Sequence, residues 1–128
     1  MDKFGHLSYD MYRATRLVVD TGIHALNWTQ EQAVQYMLQR NAQTEGKIRR
    51  EIRRYITWPG QATAYKIGQL KILELRKKAE EQLGDKFDLK EFHEVILSSK
   101  GPMNLVEERV NRYIEENIEI LRYVIYNK

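Results

Sequence analysis

Residues 54–70 read RYITWPGQATAYKIGQL, and the Trp-Pro-Gly triplet at their centre interrupts two helical patterns. Pro59 disfavours helix at the residue before it, and Gly60 permits a sharp change of direction. Outward from this turn the apolar spacing is helical almost throughout, and no strand pattern of period two occurs. The sequence therefore predicts an all-α fold with five to six helices in an antiparallel bundle-like array.

Capping residues and glycines set the predicted helix boundaries. The first helix carries apolar residues from Leu7 to Leu26 and ends at Asn27–Trp28–Thr29. Thr29 then caps a second helix, with Gln32 three residues later completing a capping box. The other helices are predicted from about Thr44 to Thr57, from Gln61 to Leu83 before Gly84, after the N-cap Asp88, and from about Asn104 to Tyr126.

The apolar positions within these helices predict the core. The predicted apolar stripes are Leu7, Met11, Leu17, Val18 and Leu26 in the first helix, Ala33, Val34, Met37 and Leu38 in the second, Ile48, Ile52, Tyr55 and Ile56 in the third, and Leu105, Val110, Tyr113, Ile114, Ile118, Leu121 and Val124 in the last.

Length and composition indicate one helical domain, residues 1–128, with one hydrophobic core. The chain is 42% apolar and 30% charged, which is typical of a globular protein. It has no Cys, so disulfides, thiol catalysis and Cys-ligated zinc are excluded. It lacks both a membrane-length apolar run and a signal-peptide core, so we expect a soluble protein, cytoplasmic if the chain is complete.

The histidines do not form a metal-binding motif. A zinc-peptidase helix needs two His at positions i and i+4, with a Glu directly after the first. His93–Glu94 begins that pattern, but Leu97 stands where the second His is needed. We interpret this pair as part of the surface of a short amphipathic helix, and we predict no metal ligand in this chain.

A polar stripe on the first helix is the first candidate site. Arg13, Arg16, Asp20 and His24 fall at i, i+3, i+7 and i+11, which places them on one helical face. The Asp20 carboxylate, one turn from His24, could orient the imidazole or raise its pKa. The alternative is a solvated face with two ordinary salt bridges.

The turn at Pro59–Gly60 opens the second candidate site. Gln61, Tyr65 and Lys66 lie in the first turns of the following helix, where free N–H groups attract anions. Together they would suit a carboxylate or a phosphate, and Gly68 would permit close backbone approach. The alternative is a helix–helix corner with Trp58 and Tyr65 in the core.

A basic run on the third helix suggests a different function. Ile48 and Ile52 face inward, so Arg49, Arg50, Arg53 and Arg54 point outward together and could neutralise phosphates. A helical binding module for nucleic acid or another polyanion is therefore the alternative function. A solvated helix face is the favoured interpretation, because only one helix carries this charge density.

Three segments resemble one bacterial family. They read RATRLVVDTGIHALNW, RYITWPGQATAYKIGQLKILELR and LGDKFDLKEFHEVIL. In this order and without gaps they resemble the C-terminal part of domain-of-unknown-function family 885, over about Gly5 to Arg112. Members of this family are longer and are similar to gluzincin-type helical zinc peptidases. The resemblance implies that this chain is a C-terminal fragment whose zinc-binding residues lie elsewhere, so the chain alone is expected to be non-catalytic.

The resemblance also implies roles for individual residues. His24 and Tyr65 would be the catalytic pair that faces the active-site cleft. Arg16, Asp20, Gln61 and Lys66 would bind substrate, and the cleft would hold a peptide's C-terminal carboxylate and the developing oxyanion. The partners implied are a peptide substrate and either a second copy of the chain or the N-terminal half of the parent protein. Nucleic acid is disfavoured as a partner, and no cofactor is expected within this chain.

Overall fold

Six α-helices and one short 3-10 turn make up most of the described chain. The computed structural model describes the backbone of residues 3–126 and the side chains of residues 3–120 and 123. The elements are α1 (Lys3–Ala25), α2 (Gln30–Leu38), α3 (Glu45–Thr57), α4 (Gln61–Leu83), a 3-10 turn (Gly84–Lys86), α5 (Leu89–Ser98) and α6 (Met103–Tyr126). Over these residues the all-α class and the number of helices are confirmed.

The two predicted helix caps are present. The Thr29 hydroxyl accepts the Gln32 N–H at 3.2 Å, and the Gln32 side chain accepts the Thr29 N–H at 2.8 Å. At α5 the Asp88 carboxylate accepts the N–H groups of Lys90 and Glu91 at 2.7 and 3.0 Å. These bonds lower the pKa of Asp88. Each cap satisfies backbone donors that the first turn of a helix leaves free.

The chain divides into two compact units, Met1–Ile67 and Gly68–Lys128, each with its own hydrophobic core. In the first unit α1, α2 and α3 pack against one another, and in the second α5 packs against α6. That the two units form a single domain stays a prediction. The buried core residues are Val19, Ala33, Val34, Met37, Ile48, Ile52, Tyr55 and Ala62 in the first unit, and Leu75, Ala79, Leu83, Phe92, Val106, Val110, Tyr113 and Ile114 in the second.

The buried face of α1 is partly polar, which corrects the sequence-based prediction. Arg16 and Asp20 are 4% and 2% exposed, so the interpretation of their stripe as a solvated face is wrong. Leu7, Met11 and Leu26, by contrast, are more than half exposed. The polar face is buried because α3 and the first turn of α4 supply hydrogen-bond partners for it.

The described side chains test two further core predictions and leave two untested. Ile56 and Leu105 are 39% and 41% exposed, so they contribute less to the cores than expected. The Leu121 and Val124 side chains lie outside the described residues. A Cβ added at Gly68 would meet no atom within 4 Å, so close backbone approach at this glycine is absent from the described structure.

One face of α1 exposes several large apolar side chains. Phe4, Leu7 and Met11 recur along one face of α1 and are each at least half exposed. Association with a second copy or with a longer parent protein nevertheless stays a prediction.

None of the described helices combines the length and the apolarity that crossing a bilayer requires.

The end of α1 depends on Gly22. Its carbonyl accepts the N–H groups of Leu26 and Trp28 at 3.2 and 2.9 Å, while Asn27 adopts the left-handed backbone conformation with φ 54°. Asn tolerates this region better than most residues. The chain thereby folds back so that the Trp28 ring lies directly against the Gly22 backbone.

We expect Gly22→Ala to destabilise the chain by about 1–3 kcal/mol, because overpacking forces neighbouring groups to shift. The added Cβ would lie 2.4 Å from two carbons of the Trp28 ring. Urea unfolding measures the effect. The matched control is Gly68→Ala within α4, which should raise stability by up to about 1 kcal/mol. Equal effects of the two substitutions would contradict the steric argument.

Candidate functional site

A basic cleft of about 460 Å³ opens in the first unit. That volume is within the range of small-molecule sites. Its lining contains four cationic side chains and one carboxylate, so it carries an excess of positive charge. The lining residues are Tyr9, Tyr12, Arg13, Arg16, Gln43, Lys47, Glu51, Arg54, Gln61 and Tyr65.

Arg16 is the buried cation of this cleft. Its Nη2 donates to Gln61 Oε1 at 3.0 Å, whereas its buried Nε has no hydrogen-bond partner among the described residues. Its guanidinium carbon lies 5.1, 5.3 and 5.6 Å from the ring centres of Tyr65, Tyr55 and Tyr12. No carboxylate in the described part of the chain forms an ion pair with it. Arg16 therefore holds a positive charge that its own surroundings do not neutralise.

The carboxylate of the cleft, Glu51, is committed to other partners. Its Oε2 accepts from Arg54 Nη2 at 2.8 Å, from Tyr12 OH at 2.9 Å and from Tyr55 OH at 3.0 Å. The hydrogen bond from Arg54, with help from the two phenols, lowers the pKa of Glu51 to about 2. Burial raises the pKa of both Tyr12 and Tyr55, so the phenols remain neutral donors.

The Gln61 side chain accepts hydrogen bonds from arginines on two helices. Its Oε1 accepts from Arg16 on α1 at 3.0 Å and from Arg54 on α3 at 3.1 Å. A neutral amide oxygen cannot cancel two positive charges. Arg54 is also paired with the Glu51 carboxylate, so Arg16 is the member of this pair that forms no ion pair within the described residues. Because Gln61 is the first residue of α4, the position of the Pro59–Gly60 turn determines this arrangement.

Asp20 holds that turn and His24 binds the end of α3, and neither residue lines the cleft. The Asp20 carboxylate accepts the Gly60 N–H at 2.8 and 3.2 Å. His24 Nε2 donates to the Tyr55 carbonyl at 3.0 Å, near the C-terminal end of α3, and lies 3.6 Å from Asp20. The catalytic role implied for His24 and the substrate-binding role implied for Asp20 stay predictions, and both side chains have structural partners here.

Of the two other predicted site residues on α4, one lines the cleft and one does not. Tyr65 lines the cleft, half exposed, with the Arg13 guanidinium 3.9 Å from its ring centre. Lys66 donates to Asp10 at 2.7 Å and is not among the lining residues. Trp58 is 59% exposed, so the alternative that placed Trp58 and Tyr65 in the core is wrong.

The basic run of α3 is partly neutralised. Arg49 binds the carboxylates of Glu31 and Glu45 at 2.8 and 2.7 Å. Arg54 binds Glu51 and faces the cleft, while Arg50 and Arg53 are exposed. A stripe with two of its four guanidinium groups paired is a weaker polyanion surface than the sequence suggested.

Within the described part of the chain, the histidine and acidic side chains form no group typical of a metal site. His93 and Glu94 are both exposed on α5, as expected of a surface pair. Among the described residues, no three His, Asp or Glu side chains are grouped in a way that could hold a metal ion. This donor set does not fit the closed or open zinc sites of proteins, which need three or four ligands.

The helical fold agrees with the resemblance seen in the sequence. Residues 1–110 match the family described as bacterial proteins of unknown function, DUF885, and the chain belongs to that family. That the match is to the C-terminal part of the family stays a prediction.

A solved structure gives a second comparison. The chain is 49% identical, with a TM-score of 0.85, to a crystal structure described as "the putative lipoprotein from Colwellia psychrerythraea". The similarity covers 88% of this chain and 19% of that one, so this chain spans about a fifth of that protein's length. No curated protein matches the chain. The cellular location expected from the sequence stays a prediction.

Several lining residues were not singled out from the sequence. Tyr12 lies one turn from Arg16 on α1, and Glu51 lies one turn from Tyr55 on α3, so helical spacing could have indicated that these pairs share a face. Gln43 offered no such signal, because it lies between α2 and α3 and only the tertiary fold brings it to the cleft.

We expect Asp20→Ala to lower the free energy of unfolding by about 2–3 kcal/mol, since a hydrogen bond to a buried charge is lost and the Gly60 N–H loses its acceptor. Thermal or urea unfolding measures this loss. Asp85→Ala, at an exposed aspartate, is the matched control and should change stability by less than about 0.5 kcal/mol. Similar losses in both variants would argue against the role of Asp20 at the turn.

Acid should weaken the fold through Glu51. Its folded pKa of about 2 is below the ordinary 4.5. The stabilisation is therefore complete above pH about 4.5 and is lost as the pH falls towards about 2. Glu51→Gln should lower stability at neutral pH and flatten this decline, as measured by urea unfolding across the pH range. Glu94→Gln, an exposed control, should keep the wild-type profile, and an unchanged slope in Glu51→Gln would refute the assignment.

Proposed function

We propose that this chain is the substrate-binding part of a metallopeptidase-like hydrolase and that its cleft binds the carboxylate of a peptide. The observation that carries this proposal is Arg16, a guanidinium 4% exposed with an unpaired Nε. A buried cation without a counter-ion is costly unless a ligand supplies the missing charge. The cleft is therefore suited to an anionic ligand.

The character of the cleft supports a carboxylate on a partly apolar ligand. Arg13 and Arg54 lie beside Arg16, and planar guanidinium groups bind carboxylates through paired N–H donors. Tyr9 and Tyr65 add aromatic surface against which the rest of a peptide could pack. Of the substrate-binding residues implied by the resemblance, Arg16 and Gln61 line this cleft and support the proposal directly.

The hydrolase part of the proposal rests on the family resemblance. Gluzincin-like proteins use zinc to activate water, and the zinc ligands would be supplied by a part of the longer family proteins that this chain does not represent. The catalytic role of His24 and Tyr65 belongs to the same proposal. We expect the chain alone to bind peptides without cleaving them, and mass spectrometry of a peptide mixture incubated with the chain and zinc tests this.

Binding of N-acetyl-trialanine and of its C-terminal amide provides the direct test. The two peptides differ only in the charge at the C-terminus. We expect the free acid to bind at least tenfold more tightly, because charged hydrogen bonds at buried sites are among the strongest in proteins. Isothermal titration or ligand-observed NMR measures both, and equal affinities would refute a carboxylate site.

Variants locate the site. Arg16→Gln should abolish the preference for the free acid. Arg13 is less buried, so Arg13→Gln should reduce the preference and provides the test if Arg16→Gln does not fold. Arg53→Gln removes an exposed guanidinium that does not line the cleft, so it should leave both affinities unchanged. Equal losses in Arg13→Gln and Arg53→Gln would indicate general electrostatic attraction and no defined site.

A further inference from the structure

A second unpaired buried atom belongs to a residue that lines the same cleft. Gln43, in the connection between α2 and α3, lines the cleft together with Arg16. Its Oε1 is buried and accepts no hydrogen bond from the described residues. Buried side-chain oxygens and nitrogens in native proteins are nearly always paired, so each exception calls for an explanation.

The two unpaired atoms have opposite requirements. Arg16 Nε is a donor that lacks an acceptor, whereas Gln43 Oε1 is an acceptor that lacks a donor. An anion without an N–H or O–H group satisfies only the requirement of Arg16. A ligand that satisfies both must carry an acceptor for the guanidinium and an N–H or O–H donor for the amide oxygen.

We propose that the cleft recognises the terminal residue of a peptide by two groups: its carboxylate at Arg16 and its amide N–H at Gln43 Oε1. This inference rests on the proposed function and narrows it to N-acylated amino acids and peptides with a free C-terminus. In such a residue the amide N–H and the carboxylate are attached to the same Cα, so one small ligand carries both groups into one cleft.

Inorganic phosphate fits the cleft less well. The hydrogenphosphate dianion carries one P–OH donor, so donor chemistry does not exclude it. It would, however, add two negative charges close to Glu51, whose low pKa keeps it ionised in the same cleft. A carboxylate adds one charge, and its neighbouring N–H supplies the missing donor.

The decisive comparison is between N-acetyl-L-alanine and O-acetyl-L-lactate. Both carry the same acyl group and carboxylate, but the ester has an oxygen where the amide has its N–H. For the wild-type chain we expect N-acetyl-L-alanine to bind roughly fivefold more tightly in isothermal or NMR titration, the typical effect of one hydrogen bond.

Variants at Gln43 assign that preference to one atom. Gln43→Met removes the acceptor and should make the two affinities equal while O-acetyl-L-lactate still binds. Gln43→Glu keeps an acceptor, so it should preserve the ratio although both ligands bind more weakly to the added charge. Gln39→Met removes an exposed glutamine of the same chain outside the cleft and should keep the wild-type ratio.

The outcomes separate this inference from the function on which it rests. If neither compound binds, the carboxylate site itself is refuted. If both bind the wild type equally, the carboxylate site survives and the role of Gln43 is overturned. A fivefold preference that persists in Gln43→Met would also overturn it. If Gln43→Met fails to fold, the test uses the affinity of N-acetyl-L-alanine relative to O-acetyl-L-lactate in the wild type and in Gln43→Glu. A ratio near one in either protein would overturn the role of Gln43.

Discussion

The bond between the Asp20 carboxylate and the Gly60 N–H is the constraint on which the first unit depends. It ties the C-terminal half of α1 to the turn between α3 and α4. Gly60 has a φ of 80°, a region that residues with a Cβ rarely adopt, so the turn is both specific to glycine and fixed from outside. Every contact made by the first turn of α4 follows from this placement.

The cleft is a consequence of the same constraint. With the turn fixed, Gln61 reaches the guanidinium groups of Arg16 and Arg54, and Tyr65 lies beside Arg13. The carboxylate that could have neutralised Arg16 is instead occupied by Arg54 and two phenols. Glu51 thereby links α1 to α3, while the buried Arg16 forms no ion pair within the described residues.

Secondary structure was readable from the sequence because its causes are local. The Thr29 and Asp88 caps, the break at Pro59–Gly60 and the end of α4 before Gly84 each involve residues within a few positions of one another. The polar face of α1 was not readable in this way. Helical spacing showed that Arg16 and Asp20 share a side, but their burial depends on partners about 40 positions away, and sequence spacing does not report such contacts.

The residues of the candidate site also differ in whether sequence spacing or tertiary packing identifies them. Arg16, Gln61 and Tyr65 were identified from the sequence, whereas Gln43 and Lys47 reach the cleft only through the packing of α2 and α3 against α1. His24 and Asp20 illustrate the converse case. Their Asp–x–x–x–His spacing is typical of an oriented catalytic imidazole, yet here the two side chains bind the backbone at Gly60 and Tyr55.

The attachment of Gly60 to Asp20 also provides a natural reporter. Its amide proton is donated to a carboxylate that is 2% exposed, so it exchanges with solvent mainly when this hydrogen bond opens. The deuterium exchange rate of this single proton therefore reports how often the turn before α4 detaches from α1 in solution. Because Gln61 and Tyr65 follow this turn, the same rate reports how often these two residues leave the lining of the cleft.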